Sequence, residues 1–445
     1  MSQGTNEREH WGSKLGFIMA AAGSAVGLGN IWKFPYLAGQ NGGGAFVVIY
    51  VCIIVLVGFS VMLAEMAIGR SAQLNAVDAF RKEGGGMWPI VGWMGVVAGF
   101  MILSFYSVVG GWTLKYIMWS FTGLMGEAAA GKAGDVFGAF VTNLPQQLLF
   151  HTIFMAMTIY VVYKGIGGGI EKYCKIMMPA LFVILLILIV RSGTLEGAGK
   201  GFEFYLKPDF SKVTGKTFAA ALGQAFFSLS LGMGCMLTYG SYVDKKTHLA
   251  TSAIQVCAID TSVAFLAGLA IFPAVFAFGV DAGAGPGLTF VTLPSVFAKM
   301  PGSSIWSALF FLLLFFAAIT SSISLLEVVA AYFIDRGWSR PKASVVMGIL
   351  IYLLGVPCAM SLKGTPAIAG KSFFDTMDFL SSNVLLPLGG VFIALFVGWF
   401  WTAKARREVT SEGTQSFAFM EPWIWLCRIV APLGILYIFF TGLKW

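Results

Sequence analysis

Eleven apolar runs of about 18 residues or more follow one another along this chain, near 12–38, 44–69, 88–122, 148–164, 170–190, 217–241, 248–278, 305–334, 342–359, 373–402 and 421–442. In hydrocarbon a backbone must satisfy its own N–H and C=O groups, so runs of this length cross a bilayer as helices. Only 11% of the 445 residues are charged, against roughly 25% in a soluble domain. The sequence predicts an all-α integral membrane protein with eleven transmembrane helices, embedded in a lipid bilayer.

Two of the runs carry breaks near their middles. The first reads Gly23-Ser24-Ala25-Val26-Gly27-Leu28-Gly29-Asn30, and the sixth reads Ser228-Leu229-Ser230-Leu231-Gly232-Met233-Gly234. Glycine costs a helix about 1 kcal/mol relative to alanine and lets it unwind. Unwound backbone at the membrane centre frees carbonyls and amides for polar ligands, as in secondary transporters. The two broken spans lead two sets of five, separated by the polar stretch 191–216. We therefore read a 5+5 inverted repeat with discontinuous first and sixth helices: 1–210 as the first repeat, 211–402 as the second, and 403–445 as the extra span eleven. The segment from Gly283 to Met300 is too short to span, and is expected to be an outer loop with a short helix from Thr289 to Ala298.

The net charge of +8 is explained by topology. Basic residues cluster in alternate loops (Arg8 and Lys14; Arg70, Arg81 and Lys82; Lys164, Lys172 and Lys175; Lys245 and Lys246; Arg336, Arg340 and Lys342; Lys404, Arg406 and Arg407). All fall on one side if the N-terminus is cytoplasmic and the C-terminus outside. No basic face remains for nucleic acid. Met19-Ala20-Ala21-Ala22-Gly23 resembles a signal cleavage site, but the apolar segment runs on and Glu7 and Glu9 spoil a basic start. Six single cysteines without CxxC spacing read as packed thiols, and three scattered histidines form no cluster.

Three groups of intramembrane polar residues stand out. At the first break, freed carbonyls near Gly23, Ala25 and Val26 are hard oxygen ligands suited to small cations, while amides at Leu28 and Gly29 would attract a carboxylate. The same small residues would also serve close helix packing. In span eight, Thr320-Ser321-Ser322 could complete an oxygen cage or bond back to carbonyls one turn earlier. Acids form the third group: Glu65, Asp260 and Glu327 within spans, and Asp375 and Asp378 near an outer helix end. Glu65 and Glu327 are expected to satisfy broken backbone rather than bind ligand.

Together with Arg8-Glu9-His10-Trp11, the run Gly23 to Pro35, Asn41 to Phe46, Glu65 with Gly69-Arg70, Gln224 to Gly234 and Phe315 to Ser322, these residues resemble the neurotransmitter:sodium symporter family, in its bacterial branch of amino-acid transporters. The resemblance covers nearly the whole chain. It implies one sodium site from the Ala25 backbone, Asn30, Ser228, Asp260 and the substrate carboxylate. A second would use the backbone of Gly23, Val26 and Ala317 with the hydroxyls of Thr320 and Ser321. The substrate would meet Ala25, Leu28, Gly29, Tyr106, Phe227 and Ser230, with Ile102, Met233, Ser321 and Leu325 lining its side-chain pocket. No charged side chain is among them, so a hydrophobic L-amino acid is expected. Met233, flexible and between two glycines, suits a bulky or aromatic one. Lys33, Gln224 and Asp378 would form an outer gate, and Arg8, Trp11, Tyr242 and Asp335 an inner gate.

The chain departs from the family pattern in places. Lysine stands at Lys33 where arginine is commoner, which weakens that pair. Where chloride-dependent members have a serine, this chain has Ala264, with Asp260 one turn earlier on the same face. A fixed carboxylate in place of chloride follows, hence no chloride site. The family commonly has twelve spans rather than eleven, and oligomeric state stays open. The resulting expectation is sodium-coupled, chloride-independent import across the cell (inner) membrane by alternating access. Proton-coupled transport on the same fold and a non-transporting amino-acid sensor are the alternatives. No nucleophile with a base and no metal cluster argues for an enzyme, and the phenylalanine-rich run from Phe310 to Phe316 argues against a channel pore.

Overall fold

In the computed structural model, residues 8–279 and 287–443 are described. Among the described residues the regular structure is helical apart from one hairpin of two-residue strands, Ala367–Ile368 paired with Lys371–Ser372. Its main helices in order are α1 (Lys14–Ala25), α2 (Gly29–Gln40), α3 (Gly44–Ala72), α4 (Pro89–Thr122), α5 (Leu144–Tyr163) and α6 (Ile166–Gly193). There follow α7 (Gly215–Ser228) and α8 (Cys235–Gly240). The remainder are α9 (Leu249–Ala277), α10 (Ser303–Ile334), α11 (Arg340–Ser361), α12 (Phe373–Phe400) and α13 (Met420–Gly442).

Among the described residues, nine of these are unbroken helices long and apolar enough to span, and the α1–α2 pair, bent by 50°, makes ten. The sixth apolar run lies over α7 and α8, split by the non-helical residues 229–234. Both breaks fall within the glycine-containing stretches named above. α1 stops at Ala25, where Val26 turns to extended backbone, and α7 stops at Ser228. The outer segment forms a helix over Leu288–Ala298, as expected for Thr289 to Ala298, and residues 283–286 of that reading lie outside the described ones.

Burial sorts the helices. The best apolar windows of α10 and α4 are 83% and 78% buried, and these two helices pack along each other at the centre. The window of α13 is only 28% buried, so it lies at the rim. Large apolar side chains such as Val55, Val183, Val190, Trp399 and Phe440 face outward, as lipid contact requires. The broken pairs sit inside: α1 packs on α6, α9 and α10, while α7 and α8 pack on α3. Of the cysteines, Cys52 is exposed and the other five are buried, all of them free. The packed-thiol expectation thus fails at Cys52, which lies on the outward face of α3.

Gly232 shows why the second break needs glycine. Its φ is +76°, and a Cβ there would stand 2.3 Å from the Leu386 carbonyl oxygen of α12. Gly232→Ala should therefore destabilise the fold by about 1–3 kcal/mol. A lowered midpoint of thermal unfolding in detergent is the expected result.

Candidate functional site

The two breaks meet in the middle of the molecule, and their polar groups are satisfied largely by side chains from other helices. Ser230 takes a left-handed backbone (φ +54°) and donates its hydroxyl to the Ser24 carbonyl at 2.8 Å, tying one break to the other. Glu65 of α3 accepts the Gly232 N–H at 2.7 Å, so this acid does support broken backbone. Tyr106 of α4 accepts the Leu28 N–H at 3.1 Å, and Gln224 donates to the Gly29 carbonyl at 2.8 Å.

One oxygen cluster forms around Asp260 of α9, which is fully buried. Asn30 donates to its Oδ1 at 2.7 Å and to its carbonyl at 3.1 Å. Ser228 donates to both carboxylate oxygens at 2.9 and 3.0 Å, and Tyr50 approaches Oδ2 at 3.4 Å. The Asn30 side-chain oxygen accepts the Gly27 N–H at 3.0 Å, so the same asparagine also caps the break. Asn30, Ser228 and Asp260 are thus together, with Ala25 lining the cavity beside them.

A second cluster lies where α10 crosses the end of α1. The Ser321 hydroxyl faces three carbonyls of the break, Ser24 at 3.1 Å, Val26 at 3.3 Å and Gly23 at 3.5 Å. Thr320 instead bonds back to Phe316 and Ala317 at 2.9 and 3.2 Å, and Ser322 bonds back to Ile319 while contacting Thr158. Back-bonding therefore holds for two of the three hydroxyls, while Ser321 alone reaches across. Thr320 remains next to the break, since a Cβ on Gly23 would lie 3.2 Å from its Cβ. The first cluster brings carboxylate and hydroxyl oxygens to the Asn30 amide, whose nitrogen faces Asp260 and whose oxygen faces Gly27, and the second brings a hydroxyl to three carbonyls. Such oxygens are the donors that hard cations take. Their chemistry fits sodium.

Between the clusters is a cavity of about 20 Å³, room for one water. It is lined by Ala25, Gly29, Ile102, Tyr106, Phe227, Ser230, Met233, Ser321 and Leu325, all expected there, and by Ser24, Gly27 and Ser228. Leu28 lies instead in a separate vestibule of about 240 Å³ above Phe227 and Tyr106. Lys33, Asp375 and Asp378 also line that vestibule. Two of the residues expected for the outer gate, Lys33 and Asp378, thus face one vestibule, and they are not ion-paired across it. The Lys33 ammonium stacks over the Phe227 ring at 4.9 Å, while Asp378 accepts from Ser382 at 2.8 Å. An ammonium over an aromatic face gains about 0.5–1 kcal/mol at an exposed site. A cavity of about 660 Å³ lies elsewhere, on the outer faces of α3, α9 and α13, and its lining is almost wholly apolar.

The opposite end is closed. Arg8 donates to Asp335 at 2.7 and 2.9 Å and to Ser241 at 2.6 Å, and lies over the Tyr242 ring at 4.7 Å. Trp11 donates its indole N–H to the Tyr239 carbonyl at 3.0 Å. Arg8, Trp11, Tyr242 and Asp335, the residues expected for an inner gate, thus lie together. The sequence reading missed their partners: Asn75, which donates twice to Asp335, and Arg340, which bridges Glu9 and Glu327. Glu327 also accepts from Tyr242 at 2.6 Å. Its expected role on broken backbone is corrected accordingly, because the carboxylate faces Arg340 rather than either break. Tyr50 was missed as well, because an aromatic in an apolar span reads as core.

A model described as the Sodium:neurotransmitter symporter family matches residues 8–132 and 141–444. The chain is 42% identical to the uncharacterized sodium-dependent transporter YhdH of Bacillus subtilis (strain 168), with 96% of each chain covered. It is 26% identical to the human sodium- and chloride-dependent GABA transporter 2, over 90% of this chain and 74% of that one. Among solved structures, the crystal structure of MhsT in complex with L-phenylalanine is similar at a TM-score of 0.89 and 45% identity, covering 98% of this chain and 100% of that one.

The Arg340–Glu327 pair gives a direct stability test, since the carboxylate side chain is fully buried and the arginine nearly so. Arg340→Met should cost about 3–5 kcal/mol by leaving a buried charge alone, and Arg340→Met with Glu327→Leu should recover part of that loss. Thermal unfolding of the single and double variants distinguishes the two.

Proposed function

The chain belongs to the sodium:neurotransmitter symporter family, and we propose that it imports a bulky or aromatic hydrophobic L-amino acid together with two sodium ions by alternating access. It is a multi-pass membrane transporter of a sodium-dependent family, not an enzyme. The observation that carries the finer reading is the meeting of two oxygen-rich polar clusters on two helix breaks around one uncharged cavity.

In this reading, sodium at the first cluster joins Asp260, Asn30, Ser228 and the Ala25 carbonyl to the substrate carboxylate. Tyr106 and the amides at Leu28 and Gly29 hold that carboxylate, and Ser230 with nearby carbonyls holds the ammonium. Sodium at the second cluster joins the α1 carbonyls of Gly23 and Val26 to Ala317, Thr320 and Ser321 of α10. Each ion thereby pulls a broken helix against an unbroken one, which couples ion binding to helix position. Asp260 supplies a fixed negative charge, which supports chloride independence. The small size of the cavity implies that Phe227 and Met233 move aside for substrate. L-phenylalanine in the MhsT crystal structure, at 45% identity, supports an aromatic substrate.

Eleven spans in a 5+5 inverted repeat with an extra span after residue 402 complete the reading. Its topology has the Arg8 end in the cytoplasm and the Lys33 vestibule outside, in the cell (inner) membrane. Lys33, Gln224 and Asp378 would close over the vestibule once substrate is bound.

Binding of labelled tryptophan, tyrosine, leucine and alanine to purified protein tests this, in sodium, potassium or choline, with and without chloride. Sodium-dependent, chloride-independent binding of the bulky members is expected. Ser321→Ala should raise the half-saturating sodium concentration about tenfold, the equivalent of 1.4 kcal/mol. Asp260→Asn should weaken binding in chloride-free sodium by at least as much. Binding indifferent to sodium would overturn the ion assignments, and a preference for alanine would overturn the size preference.

A further inference from the structure

Two glutamates at the Arg8 end cap each other's helices. Glu171, near the start of α6, accepts the Gly12 N–H at 2.7 Å and the Ser13 hydroxyl at 2.9 Å, just where α1 begins. Ser13 is the N-cap of α1, its hydroxyl accepting the Gly16 N–H at 3.0 Å. In the other direction, Glu9 from the segment before α1 accepts the N–H of Ile166, the first residue of α6, at 2.6 Å. Each helix start, with free N–H groups and the positive end of its dipole, thus receives the carboxylate of the other segment. Arg340 holds Glu9 from a third direction, and Lys175 pairs with Glu171.

Space at this junction is reserved for the Glu171 carboxylate. A Cβ on Gly16 would lie 2.1 Å from its Oε1, and one on Gly12 would lie 3.3 Å from its Oε2. The Glu171 side chain is only 5% exposed. The other end of α1 carries the Gly23 and Val26 carbonyls that face Ser321. Cys174, three residues beyond Glu171, is buried against this helix, 3.5 Å from where a Gly23 Cβ would stand.

We propose that Glu171 and Glu9 form a reciprocal clasp between α1 and α6, and that its release sets how readily α1 swings away to open the Arg8 end. Glu171 is a positioning residue that acts through α1 on the second ion cluster. The Arg8–Asp335 pair ties the preceding segment to the end of α10, whereas the clasp ties that segment and the start of α1 to the start of α6, and Arg340 joins the two through Glu9. The proposal rests on the alternating-access reading above.

Cys174 is a native reporter of that opening. The full chain in lipid nanodiscs would be treated with a charged, water-soluble maleimide, and modification of each cysteine followed by peptide mass spectrometry in potassium and in sodium. Wild type would be compared with Glu171→Ala, Glu171→Gln and Gly16→Ala, the last displacing the carboxylate while leaving its charge. The clasp predicts Cys174 modification in potassium roughly tenfold faster in Glu171→Ala and Gly16→Ala. A smaller rise is expected in Glu171→Gln, which keeps one acceptor oxygen. Sodium with amino acid should slow it again, because an ion bridging α1 to α10 holds the helix in place. Buried Cys358 and Cys427, remote from α1, should stay unreactive throughout. Cys174 rates within about twofold of wild type in variants that remain monodisperse, or a rise shared equally by Cys358 and Cys427, would overturn the clasp. If Glu171→Ala does not fold, Gly16→Ala and Glu171→Gln carry the test. Wild type that binds no amino acid in sodium would sink the transport reading, whereas Cys174 rates in potassium still judge the clasp.

Discussion

Broken backbone in a membrane interior must find polar partners, and most of this structure's buried polar chemistry answers that requirement. An unpaired amide or carbonyl away from water costs several kcal/mol. The breaks at 26–28 and 229–234 expose such groups in the centre of the molecule. Glu65, Tyr106, Gln224, Ser230, Asn30 and Ser321 each serve at least one backbone group at or beside them. Asn30, Tyr106, Ser230 and Ser321 among these are also groups that the proposed ions and amino acid would engage, whereas Glu65 serves the backbone alone.

The two ends of the molecule are fastened unequally. At the Arg8 end, ion pairs link the segment before α1 to α10 and α11, and Glu327, Arg340 and Glu9 extend the network. At the Lys33 end there is a vestibule of about 240 Å³, with lysine on an aromatic ring and its would-be acid partner engaged by a serine. Buried ion pairs hold geometry strongly because breaking one leaves a charge uncompensated. A stacked lysine beside an open vestibule is held less firmly. The asymmetry is one of fastening: ion pairs tie the Arg8 end, while the Lys33 end opens into a vestibule that Phe227 and Tyr106 keep separate from the central cavity.

Some of the site was legible and some was not, for identifiable reasons. The breaks themselves were, because glycine clusters in apolar runs have few other uses. Asp260 was, because a carboxylate in hydrocarbon requires partners. Thr320 and Ser321 looked equivalent in sequence, yet only one hydroxyl turns toward α1, a matter of helix rotation. Nothing in the sequence marks Glu171, since its position does not reveal that Gly12 and Ser13 lie within its reach, nor that Glu9 reaches the first amide of α6. Tyr50 was indistinguishable from packing until α3 and α9 were placed side by side.

The sequence by itself determined that the chain is a bundle of membrane-spanning helices, where two of them break, and which side chains are too polar to lie idle in lipid. These are local properties, written in run length, glycine placement and charge. Only the tertiary structure decided which hydroxyl faces which carbonyl, that Lys33 stacks rather than pairs, that Glu327 serves Arg340, and that two glutamates exchange caps. Those outcomes depend on the rotation and crossing of helices far apart in the chain, where a turn of one residue, about 100° around a helix, moves a side chain from a partner to a neighbour.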